Sequence, residues 1–220
     1  MVNRNMCLTE QNFQLFDREV KQFFKLKQMY PLEEIEAIKR DYKTTWDLWK
    51  AINLSAYEEL QTKIDLMKPK VESWTNGWQV RGHYWVSYRS IDRQSDATCI
   101  GILLNRKNLR INLLWQKYKE KQSEVSASDY NEKLNRIPEW AKTVNPEEYF
   151  IWTSRQEELD DYISLATYLE SPIEQARIET ELAEGETFKV GRVIPKQVLI
   201  SEVNQLIAQS VVELYPLYEA

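Results

Sequence analysis

A chain of 220 residues, 43% apolar and 29% charged, is long enough to bury a core and too apolar to be intrinsically disordered. Its 29 Lys+Arg against 34 Asp+Glu give a formal charge of −5, which argues against a general polyanion binder. No run of about 18 apolar residues occurs, so no membrane-spanning helix is expected, and the first residues, MVNRNMCLTEQNF, lack the apolar stretch of a secretory signal.

Residues 9–28 predict a first helix, with Phe13, Phe16, Val20, Phe23 and Phe24 on one face. Pro31 opens a second, with Glu33, Glu34 and Glu36 in its first turn, where the macrodipole favours acids. Ile35, Ile38, Tyr42, Trp46 and Trp49 carry its apolar stripe to about residue 51. Ser55-Ala-Tyr-Glu58 has the capping-box spacing of a third helix, which Pro69 interrupts. Asn76-Gly77 fits a helix stop better than a hairpin turn, because residues 69–75 lack clean alternation.

Residues 78–115 then change character. Trp78, Val80, Tyr84, Val86 and Tyr88 alternate with Gln79, Arg81, His83, Trp85, Ser87 and Arg89, the pattern of a strand with one buried face. Residues 97–104 are apolar on both faces, as in a central strand, and Leu109, Ile111, Leu113 and Trp115 alternate with Arg110 and Asn112. Short links between these three strands imply an antiparallel meander. Ser126 starts a further helix, and residues 149–153 form a fourth strand. Residues 157–169 and 172–183 read as helices, the second with Ser171, Pro172 and Glu174 as its start signal. Residues 188–194 suggest a last strand, and Pro195 a C-terminal helix with Val198, Leu199, Val203, Leu206, Ile207, Val211 and Leu214 facing the core. The fold class expected is α+β, in one domain over residues 1–220: helical 1–76, a mostly antiparallel sheet core 78–116, and mixed helix and strand 117–220, the terminal helices covering one sheet face.

The charge is unevenly placed. Residues 68–121 hold 11 Lys+Arg against 4 Asp+Glu, so the rest of the chain sums to −12. This basic middle permits a local anion site. Arg81, His83, Trp85 and Arg89 share the outward face of one strand, and Arg110 and Asn112 project from another. Arginine offers a planar fork of donors for phosphate or carboxylate, tryptophan a stacking face, and histidine a proton exchanged near neutrality. The same alternation also describes an ordinary solvent face with Trp85 packed under a helix.

Other chemistries are poorly served. His83 is the only histidine, and no G-x-S-x-G elbow accompanies it. The acidic pairs Glu147-Glu148, Glu157-Glu158 and Asp160-Asp161 lie at expected helix starts, where acids are solvated. The five glycines form neither G-x-G-x-x-G nor a Walker loop, so no nucleotide cofactor is expected. With one histidine and no C-x-x-C, no metal is expected either. Cys7 and Cys99 are too few and too far apart for a disulfide framework and read as reduced thiols of a cytoplasmic protein.

The strings WTNGWQVRGHYW (74–85), IKRDYKTTWDLW (38–49), PKVES (69–73), FKVGRVIPK (188–196) and LYPLYE (214–219) resemble an uncharacterised family of low-GC Gram-positive and some other bacteria, over nearly the whole chain. Members of that family often carry the label glucose-6-phosphate dehydrogenase-like. The resemblance implies a bacterial cytoplasmic protein and a common fold. It carries no catalytic residue here, because His83 stands in Arg81-Gly82-His83-Tyr84 with neither an Asp-His pair nor a following Gly-Lys. The residues point to a non-catalytic binding module without membrane partner. Arg81, Arg89 and Arg110 would engage an anionic small molecule or short nucleic acid, Trp85 would stack, and Asn112 and His83 would orient the ligand. The alternatives are an enzyme on a phosphorylated small molecule with His83 as acid or base, and a structural protein that homo-oligomerises through exposed aromatics.

Overall fold

A computed structural model describes residues 6–198 and 201–220. It is α+β, as expected. The N-terminal segment comprises α1 (Glu10–Gln14), α2 (Phe23–Met29) and the long α3 (Leu32–Leu60). A seven-stranded sheet follows, built from β1 (Lys70–Val71), β4 (Tyr84–Tyr88), β5 (Thr98–Leu104), β6 (Asn108–Trp115), β7 (Phe150–Thr153), β8 (Ile163–Ser164) and β9 (Phe188–Pro195). Its order is β1-β4-β5-β6-β9-β7-β8, with every neighbouring pair antiparallel. A separate hairpin joins β2 (Thr75–Asn76) to β3 (Gln79–Val80). Short helices α4 (Ala127–Glu132), α5 (Ile137–Trp140), α6 (Leu165–Glu170) and α7 (Pro172–Ala183) fill the second half, and α8 (Val203–Glu219) closes it.

The central meander β4-β5-β6 follows the alternation of the sequence. Tyr84, Val86, Tyr88, Ile102 and Ile111 are fully buried on one sheet face. Helices α3 and α8 cover that face, and the tyrosines tie the layers together. Tyr84 donates to the Tyr42 carbonyl of α3 (2.7 Å), and Tyr88 to that of Asn53 (2.9 Å). The Tyr218 hydroxyl of α8 accepts from the Ser90 amide (3.0 Å). Each buried hydroxyl thus gains the partner that burial demands.

Several elements depart from the periodicity. The first helix is two pieces, because residues 18–22 run extended and Gln22 bridges Gln79 of the hairpin. Phe13 and Phe16 are core, whereas Phe24 is exposed. The second and third helices are one. Ser55 lies inside α3 and its hydroxyl accepts from Asn204 of α8 (3.3 Å), so it serves helix–helix contact rather than a cap. Asn76-Gly77 makes a hairpin turn and not a helix stop: Thr75 pairs with Val80, Asn76 with Gln79, and Gly77 takes φ +59°. Trp78, expected in the core, therefore sits at the turn and is 86% exposed. Residues 157–162 are loop rather than helix, with α6 beginning only at Leu165. Pro195 ends β9 instead of opening a helix, and α8 begins at Val203; Leu199 lies outside the described residues. The Ser126 and Ser171 starts are in place, each serine hydroxyl accepting from the amide three residues on.

Candidate functional site

The register fixes which side chains share the second sheet face. One row runs Trp85–Leu103–Arg110–Val193, and the next Lys70–Ser87–Gly101–Asn112–Gly191–Phe150. Lys189 and Trp152 lie opposite each other on the same side. The cover here is made of loops, not of α3 and α8. The 3-10 turn Lys117–Gln122 borders one end, and residues 154–162 border the other, where Tyr162 stacks on Trp152 at 4.3 Å.

Four predicted residues, Trp85, Arg89, Arg110 and Asn112, come to this face. Trp85 is not packed under a helix. Its indole lies over Gly101, where a Cβ would stand 2.1 Å from Cη2, so only a glycine allows the ring to lie flat. Asn112 is buried in the floor beside it. Arg81 and His83 stand apart, in the bend between β3 and β4, and each has a carboxylate of its own. Arg81 pairs with Glu72 (2.8 Å), and His83 Nδ1 with Glu158 (3.0 Å). Burial pushes the Glu158 carboxyl up, but the His83 bond and charge, with Arg110, outweigh it and hold the group below the usual carboxylate range.

Along the β1–β4 edge the face opens into a cleft of about 360 Å³, within the range of small-ligand sites. Lys68, Lys70, Arg89 and Lys119 line it, with Trp85 on the floor side and the exposed Tyr118 at the mouth. Glu72 is its one acid, already paired to Arg81. None of the four cations makes an ion pair among the described residues, whereas Arg81, Lys107, Arg155, Arg177 and Arg192 all do. Arg89 is the extreme case. It is 5% exposed, and its donors go to neutral acceptors: the Asp96 carbonyl (3.1 Å), the Ser87 hydroxyl (2.8 Å) and the Gln116 side chain. A buried guanidinium without a counter-charge raises the local potential. Burial, followed by the Arg89 charge, holds the Lys119 ammonium below the usual lysine range.

The sequence reading missed Lys68, Lys70, Tyr118 and Lys119, although the charge excess of residues 68–121 spans all four. Glu158, expected as a solvated acid at a helix start, instead lies in a loop and pairs with His83, and Tyr162, which the sequence does not single out, reaches Arg110 across more than fifty residues of chain. Cys99 is buried among these strands, its thiol pushed up by burial to about 11, and is an inert core residue.

A protein-family model matches residues 8–220. A Haemophilus influenzae protein described as uncharacterized is 34% identical over 220 residues, covering 97% of this chain and 98% of its own. The dehydrogenase-like label finds no counterpart in either match. The match extends over the helices, the meander and the loops that border the cleft alike, and the chain belongs to this uncharacterised bacterial protein family.

Proposed function

We propose that this protein is a non-catalytic binding module for an anionic ligand with a flat ring, of the class of nucleotides, phosphorylated metabolites and short nucleic acids. One observation carries the reading: Arg89 is buried without a carboxylate, beneath a cleft whose other cations are equally unpaired. The anion goes to Lys68, Lys70 and Lys119, while Arg89, buried at 5% exposure with three donors engaged, contributes charge from beneath them. Trp85 and Tyr118 offer ring faces. Both cysteines are free thiols, which suits a reducing compartment such as the cytoplasm. One hydrophobic cluster runs from Leu8 to Tyr218, which supports a single domain.

A thermal-shift panel of nucleotides, sugar phosphates and short oligonucleotides tests this. A ligand at a hundred times its Kd stabilises the fold by about 2.7 kcal/mol. At least one compound should raise the melting temperature, and the Lys70→Ala/Lys119→Ala double variant should lose that rise. A panel without a hit, or a rise that survives in the double variant, overturns the reading.

The His83–Glu158 pair supports a second reading, proton transfer on a phosphorylated small molecule. His83 lines a separate cleft of about 380 Å³ with Asp17, Arg18 and Arg106. Among the described residues its lining holds no Ser, Thr or Cys to serve as a hydroxyl or thiol nucleophile. Product formation lost in His83→Gln would favour this reading over simple binding.

A further inference from the structure

We propose that the ligand is a single strand of nucleic acid laid across this loop-bordered sheet face, its backbone running from the Lys70–Arg89–Lys119 cleft to a second cationic station formed by Arg110 and Lys189. The proposal rests on the anionic-ligand reading above and names its ligand.

The second station repeats the features of the first. Arg110 is 7% exposed, makes no ion pair among the described residues, and donates through Nη1 to the neutral Tyr162 hydroxyl (2.5 Å), while its Nε has no partner. Lys189, half-buried on β9, likewise makes no ion pair among the described residues. Burial and the Arg110 charge bring its ammonium down to about 8. Neither cation is in direct ion-pair contact among the described residues, although the Glu158 and Glu186 carboxylates act on Lys189 from beyond that range. The nearby acid Glu158 is engaged by His83.

The distance between the stations selects the ligand. Lys70 is on β1 and Lys189 on β9, four strand spacings apart in the order β1-β4-β5-β6-β9. That is about 19 Å. A mononucleotide carries its charge at one end and cannot occupy both stations. A strand of about four nucleotides, the low end of single-strand site sizes, can. Between the stations lie the half-buried Trp85, Leu114 and Val193, with Leu103 buried among them, an apolar floor for base faces. Although the chain has 34 Asp+Glu, not one projects from this face of the described strands; every charged side chain on it is a cation. A second copy of the same face would oppose cation to cation, so an isologous sheet-to-sheet dimer is disfavoured. A duplex would present its bases edge-on and not as stacking faces.

Fluorescence anisotropy with labelled oligo-dT and oligo-U of 2, 4, 6 and 10 nucleotides tests the span, on the wild type, Lys189→Gln and Lys70→Ala/Lys119→Ala. The hexamer should bind about tenfold or more tighter than the dimer, since added bases stack and added phosphates pair. Lys189→Gln should weaken the hexamer severalfold and leave the dimer unchanged, and the double variant should weaken both. Equal affinity for dimer and hexamer, with no effect of Lys189→Gln, overturns the span. If the double variant still weakens binding in that case, the cleft reading stands; if it does not, both fall. Polyglutamate or NADP bound as tightly as the hexamer, or no oligonucleotide bound at all, also overturns the single-strand proposal.

Discussion

Lys189 carries a positive charge where burial makes it costly. In an unfolded chain a lysine titrates near 10.4, and in the native protein Lys189 is brought down to about 8 by burial and by Arg110. Below pH 8 both states hold the proton and the full desolvation cost is present. Between about 8 and 10.4 the unfolded state binds more protons, so stability from this group climbs with pH. Lys189→Met should therefore be more stable than the wild type at pH 7, by about 1–2 kcal/mol after solvent screening. That gap should close as the pH rises towards 10, as read from urea midpoints. Lys133, also brought down to about 8, contributes the same slope in both proteins and cancels in the comparison. At Gly101 the constraint is steric: an added Cβ meets Trp85 at 2.1 Å and Leu114 at 2.7 Å. Gly101→Ala should cost about 1–3 kcal/mol and tilt the indole off the sheet, weakening ligand binding as well. The sequence showed that Trp85 shares a face with Arg89 and Arg110 with Asn112, because a two-residue period settles that within a strand; the pairing of β4, β5 and β6 brings the two pairs together. The sequence could not show that Arg89 lacks a carboxylate or that Arg81 has one, since those depend on where Glu72 and Asp96 fold.

Among the elements, β4, β5, β6, β7 and β9 were legible because alternation and short links leave few alternatives. The β2–β3 hairpin was not. Two residues per strand are too few for a period to emerge, and Asn76-Gly77 is compatible with both a helix end and a turn. Its site in the fold comes from the Phe23 amide, which donates to the Trp78 carbonyl (2.9 Å), a contact 55 positions away. Gly77→Ala would force a φ of +59° on an L side chain, at a cost of about 1–2 kcal/mol. Faster hydrogen exchange at the Phe23 amide, with little change elsewhere, is the expected result. Ser55 misled for a related reason: a capping-box spacing inside a continuous helix is indistinguishable from a helix start until α8 supplies Asn204 as its partner. Residues 157–162 have helical composition, but Trp152, Arg110 and His83 each hold one of their side chains, and those tertiary contacts win over propensity.

Taken whole, the molecule segregates charge. A net −5 chain keeps acids off the strands of one sheet face, where Lys70, Arg110 and Lys189 make no ion pair among the described residues, while its helices and tyrosines close the opposite face. The α+β class and the basic middle segment were visible in the sequence. The convergence of β1, the turn after β6 and β9 on one surface was not, because strand order is set by long-range pairing. The salt dependence of hexanucleotide binding measures that segregation as a number. Binding through Lys70, Lys119, Arg110 and Lys189 predicts a plot of log K against log salt with a slope of about −3, shallower by about 0.7 in Lys119→Ala. Binding that is independent of salt, or a slope that Lys119→Ala leaves unchanged, would contradict the assignment of this face as the anion site.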